Sequence, residues 1–227
     1  MSTASQIISK FTGRSLNKVL SIWGVAIVAT MLVGQAASAA PVVLYDSITA
    51  NTADGSNTAD VTNWLANEFK TDAETYDLTS VVLKLASTPL GTIEVDLYSN
   101  NPVGNVPGSV IGGFSNPGSL AAGDLTFTPA TSQQLLPNTS YWVVLKNSGT
   151  WNYTNGSATG PGASQRWADG SNSGAIWSAS TGGPYLMTVN ATPVAVPEPS
   201  TWAMGLAGVA FAGVKVLRRR RRIQVQG

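Results

Sequence analysis

The stretch from residue 40 to residue 193 is predicted to be all-β, an antiparallel β-sandwich of jelly-roll type, on three observations. Short runs alternate apolar and polar side chains with a period of two. Gly, Pro, Asn, Ser and Thr recur between those runs, as turn residues do. Helical periodicity is nearly absent over the same stretch. Eight or so short strands with turns between them argue for a sandwich. An N-terminal signal helix and a C-terminal transmembrane helix are predicted to flank it.

Taken in chain order, the first strand is expected over Pro41–Asp46. Val61–Glu68 reads as a helical turn, followed by a strand at Glu68–Thr71. In Val81–Leu85 the residues Val81, Leu83 and Leu85 fall on one face, and Val82 and Lys84 on the other. In Thr92–Tyr98 the apolar face is Ile93, Val95 and Leu97, and the opposite face is Glu94, Asp96 and Tyr98. Ser109–Phe114 and Leu125–Thr128 follow, separated by the turn residues Asn116-Pro117-Gly118. Tyr141–Leu145 is apolar on both faces, as a central strand is. Tyr185–Ala191 closes the set.

The ends of the chain have a different chemistry. Lys10, Arg14 and Lys18 precede an apolar run from Val19 to Val33, and Ala37-Ser38-Ala39 supplies the small-x-small pattern that a signal peptidase cuts. Residues 1–39 are therefore read as a signal peptide, the alternative being a retained transmembrane helix. Removing both ends leaves about 155 residues, enough for one domain core. Residues 194–227 hold Pro197-Glu198-Pro199, an apolar run from Thr201 to Leu217, and then Arg218, Arg219, Arg220, Arg221 and Arg222. A helix over 201–217 is about 26 Å long, just enough for a thin bilayer. The arginines should stay cytoplasmic, which places the domain outside and the membrane among the partners.

Pro197, Glu198 and Pro199, an immediate short apolar helix and an arginine cluster together resemble the PEP-CTERM sorting signal of bacterial proteins. The resemblance implies an exosortase as partner, export across the inner membrane, and C-terminal anchoring before delivery to the cell surface or extracellular matrix. It also implies a Gram-negative host that makes exopolysaccharide. The middle of the chain, over Tyr45–Ala191, resembles a choice-of-anchor R type domain. The residues that carry this likeness are Tyr76-Asp77-Leu78-Thr79-Ser80-Val81, Val95-Asp96-Leu97-Tyr98, Pro107-Gly108 and Leu136 through Leu145. That second resemblance implies no activity.

Composition excludes several function classes. The chain has no cysteine and no histidine, so disulfides, thiol nucleophiles, His-based triads and ordinary zinc sites are ruled out. Between the basic ends, eleven acids face Lys70, Lys84, Lys146 and Arg166, a formal charge of −7. A domain this acidic does not bind nucleic acid by neutralising phosphates.

Three groups of residues are candidates for chemistry. Glu94 and Asp96 share a strand face, as the paired acids of a glycoside hydrolase can. The alternative is a solvated face with Lys84 as cross-strand partner. Asn51-Thr52-Ala53-Asp54 and Asn57-Thr58-Ala59-Asp60 offer clustered oxygens for Ca²⁺, or form an ordinary polar loop. No cofactor is otherwise expected. Trp151, Trp167 and Trp177 lie in a Gly/Ser/Asn-rich stretch, where they either stack on sugar rings or plug the end of the core. The leading expectation is a non-enzymatic surface or exopolysaccharide-matrix protein with weak glycan binding. The competing expectation is a small polysaccharide hydrolase using Glu94, Asp96 or Asp169.

Overall fold

The computed structural model describes Ala39–Val194, together with Gly205 and Gly208. The predicted signal helix, the Pro-Glu-Pro motif, most of the span 201–217 predicted as a transmembrane helix, and the arginine cluster lie outside the described residues. Ala39–Val194 is all-β, with thirteen strands, antiparallel pairing throughout and no helix.

Two layers share one core. The first runs in the order β1 (Val42–Asp46), β13 (Met187–Pro193), β4 (Tyr76–Leu85), β7 (Gly123–Pro129). The short strand β8 (Gln134–Leu135) pairs with one end of β4. The pair β2 (Gly55–Ala59) and β10 (Gly149–Tyr153) joins the other end, where Trp151 meets Leu85. The second layer runs β6 (Val106–Ser115), β5 (Glu94–Asn101), β9 (Ser140–Lys146), β3 (Trp64–Lys70), β11 (Arg166–Ser171), β12 (Ile176–Thr181). The layers connect where Phe114 and Ser115 of β6 pair with Pro129 and Thr128 of β7.

Period-two alternation builds the space between the layers. Val81, Leu83, Leu85, Phe127, Met187 and Val189 come from the first layer, and Leu65, Phe69, Val95, Leu97, Val143 and Leu145 from the second. A smaller apolar cluster lies on the opposite face of the second layer. It comprises Ala66, Tyr98, Trp142, Val144 and Ala168, with Trp64, Trp177 and Ala179 packed against it. This explains why β9 is apolar on both faces: each face has its own cluster.

The helical turn expected at Val61–Glu68 is not formed. The Asp60 carboxylate accepts hydrogen bonds from the Thr62 and Asn63 backbone N–H groups at 2.7 and 2.8 Å, which shapes a turn. Trp64 then opens β3, and Leu65 and Phe69 face the main core while Ala66 faces the smaller cluster. Burial on both faces hides the alternation that would otherwise mark the strand. A long loop after β10 returns against β1, where Gly162 N–H donates to the Leu44 carbonyl. Gly160 has φ 101°, and a Cβ there would lie 2.6 Å from the Leu44 oxygen, so this approach requires glycine.

Candidate functional site

The three candidate tryptophans have different environments. Trp151 is a core side chain: it is fully buried, stacks on Tyr185 at 4.8 Å and 19°, and donates from Nε1 to the Leu186 carbonyl at 2.9 Å. It leaves no ring face for a sugar, which corrects its inclusion among the glycan contacts. Its polar sequence neighbours mislead because β10 turns the ring inward between Asn57 of β2 and Leu85 of β4.

Trp167 and Trp177 are half-buried, and the β11–β12 hairpin presents them on opposite faces. Trp167 meets the edge of Tyr185 at 6.0 Å and donates from Nε1 to the Gly182 carbonyl at 2.6 Å. It lines a cleft of about 270 Å³ with Tyr153, Tyr185, Asn57 and Asn155. Asn57 Nδ2 donates to the Tyr185 hydroxyl at 2.9 Å, and that hydroxyl donates at 3.0 Å to Oδ1 of Asp169, whose carboxylate lines a neighbouring cleft beside Trp64 and Ile176. Burial pushes the Asp169 carboxyl above the usual range, against the lowering effect of the Tyr185 hydrogen bond.

Trp177 packs at 6.4 Å and 58° from Trp64 and lies over Gly170, its direct cross-strand neighbour. It borders a cleft of about 520 Å³ with Ser99, Asn100, Asn101 and Ser109. Both clefts therefore combine an aromatic face with uncharged amides or hydroxyls.

Glu94 and Asp96 do not form a solvated face. Lys84 instead pairs with Asp124 at 3.4 Å. Lys146, buried from β9, brings its ammonium to both acids: Nζ donates to Glu94 Oε1 at 3.0 Å and contacts Asp96 Oδ2 directly. Asn147 Nδ2 donates to the second Glu94 oxygen at 2.9 Å. The Trp64 ring centre lies 4.6 Å from Nζ, and the Tyr98 ring centre 5.3 Å. Burial pushes the Asp96 carboxyl up, and the neighbouring Glu94 charge adds to this, so it ends above the usual range despite Lys146. Burial also raises Glu94, but the Lys146 ammonium outweighs it and holds Glu94 below the usual range. Sequence reasoning missed Lys146; its only signal was a charged residue ending an otherwise apolar strand.

The two Asn-Thr-Ala-Asp segments do not converge. Asp54 accepts from the Asn155 backbone at 2.7 Å, while Asp60 organises its own turn at the other end of β2. Among the described residues, no group of three or more acids is placed to hold a metal ion.

Comparison with known proteins adds the remaining site. Residues 195–222 match the PEP-CTERM protein-sorting motif. The match implies an exosortase substrate. No curated protein matches the chain. The PEP-CTERM match takes in Pro197, Glu198, Pro199 and Arg218 through Arg222, and it implies export and C-terminal processing in the bacterial envelope.

Proposed function

We propose that this is a non-enzymatic protein of the cell surface or exopolysaccharide matrix of a Gram-negative bacterium. Signal peptidase removes its leader, an exosortase processes its tail, and a choice-of-anchor R type jelly-roll domain makes weak contact with neutral glycan. The PEP-CTERM match at 195–222 carries the sorting part of this reading. The glycan part rests on the Trp167 cleft, where a half-buried indole, two tyrosines, Asn57 and Asn155 meet without a free cation. Rings of this kind stack on sugar faces, and amides bind hydroxyls. A domain charge of −7 disfavours anionic polysaccharide at low salt. The hydrolase reading is disfavoured because Glu94 and Asp96 share one ammonium, whereas glycosidase acids flank an open scissile bond.

Titration of the mature exported chain with neutral and acidic polysaccharides, followed by tryptophan fluorescence, tests the glycan part. Neutral glycan should change the signal, Trp167→Ala should abolish the change, and Trp177→Ala should show whether the second cleft contributes. Trp151→Ala serves as the fold control, since emptying that core site should cost about 3–5 kcal/mol. No response to any polysaccharide, with the wild-type chain folded, would remove glycan from the proposal.

A further inference from the structure

We propose that Lys146 and Asp96 form an intramolecular amide bond, Nζ to Cγ, which staples β9 to β5 with Glu94 as proton carrier. The cluster has the parts this reaction needs. An amine becomes nucleophilic when it loses its proton, and removal from water promotes that loss. Lys146 is buried, with only 7 % of its side chain exposed, beneath the rings of Trp64 and Tyr98. Its target is equally enclosed: the Asp96 side chain is 11 % exposed and contacts Nζ directly. Asp96 faces Val144 across the ladder and Glu94 faces Lys146, so the reacting pair is a diagonal neighbour on one sheet face. The residue opposite Asp96 on the other side is Gly113, where a Cβ would lie only 3.1 Å from Asp96 Oδ1.

Glu94 completes the arrangement. Its Oε1 lies 3.0 Å from Nζ, and its side chain is 47 % exposed, so it connects the enclosed pair to solvent. The steps balance without any co-reactant. A proton passes from the Lys146 ammonium to the Asp96 carboxylate, leaving a neutral amine and a neutral acid. Burial favours this neutral pair and raises the Asp96 carboxyl, whereas the two carboxylates hold the Lys146 ammonium above the usual lysine range, so this transfer is the uphill step and it depends on the enclosed contact between the two groups. The Nζ lone pair attacks Cγ, and the Nζ–Cγ bond forms. Glu94 takes a proton from Nζ and returns it to the departing Asp96 hydroxyl. The Cγ–O bond breaks and one water leaves, with nothing oxidised or reduced. Fixed proximity replaces the chemical activation that amide formation otherwise needs.

The consequence suits an exported domain without cysteine, which has no disulfide available to it. The amide would join residues fifty positions apart and enclose β6, β7 and β8 in one covalent loop.

Trypsin reads the bond directly. No lysine or arginine lies between Lys84 and Lys146, or between Lys146 and Arg166. An acylated Lys146 is not cut, so the exported chain, unfolded and digested, should yield Leu85–Arg166 as one peptide lighter by one water. Lys146→Arg should restore cutting at position 146, and Asp96→Ala should give two peptides of full mass. Glu94→Gln, which keeps a hydrogen-bond acceptor but carries no proton, should slow accumulation of the joined peptide at least tenfold. Wild-type chain cut at Lys146 into Leu85–Lys146 and Asn147–Arg166 at full mass would mean an ordinary buried ion pair, and would overturn the proposal. Because the wild-type digest decides the question, a variant that fails to fold leaves the test intact.

Discussion

Asp46 shows how a single carboxylate fixes the end of a strand. It closes β1 and accepts hydrogen bonds from the Ile48 and Thr49 backbone N–H groups at 2.8 and 3.1 Å, and from the Thr188 hydroxyl of β13 at 3.0 Å. Burial raises the carboxyl, but these donors outweigh it and hold the group below the usual carboxylate range. A depressed folded value means stability that is complete above the unfolded value and is lost as pH falls through the folded one. Asp46→Asn should therefore cost about 1 kcal/mol near neutral pH, with the gap closing as the pH falls below the usual carboxylate range and through the depressed folded value. Urea unfolding of both chains across that range checks it. A gap of constant size would show that the charge contributes nothing.

At the scale of elements, the β11–β12 hairpin is held by an exchange of glycine and ring. Gly170 faces Trp177 across the ladder, and a Cβ at Gly170 would lie 2.8 Å from the indole. The Gly170 backbone has no positive φ, so alanine is penalised there by the ring alone. Gly170→Ala should lift Trp177 from its place beside Trp64, cost about 1–3 kcal/mol and shift the tryptophan emission. Unchanged emission and stability would mean that the ring does not hold this hairpin. The same hairpin shows why strands were missed. β2, β10, β11 and β12 are rich in Gly, Ser, Thr, Asn and Ala, so none displays a clean apolar face. Their pairing depends on a neighbour's free edge, which short-range pattern does not encode. By contrast, β4 and β5 bury one regular face, and that face was legible.

At the scale of the whole molecule, the chain divides its tasks between a compact β unit and a sorting signal in the tail. If the PEP-CTERM signal is processed, mature protein from an exosortase-positive host should lack the apolar run after Ser200 and the arginines Arg218 through Arg222. Deleting the exosortase should restore that tail, and intact-mass measurement distinguishes the two forms. A full-length tail in both hosts would separate the motif from its processing.

The sequence by itself determined the sorting signal, because order, spacing and composition are local properties of a short segment. It also determined the all-β class, because alternation and turn chemistry are set residue by residue. Only the tertiary structure decided which polar and aromatic residues meet. Trp151 and Trp167 lie in the same polar stretch, yet β10 places one in the core and β11 places the other on a cleft. Glu94 and Asp96 read as a wet surface until β9, some fifty residues later, laid Lys146 across them and Trp64 covered the ammonium. Charge pairing of this kind depends on distance and dielectric, and both are set by strand order rather than by neighbours in sequence.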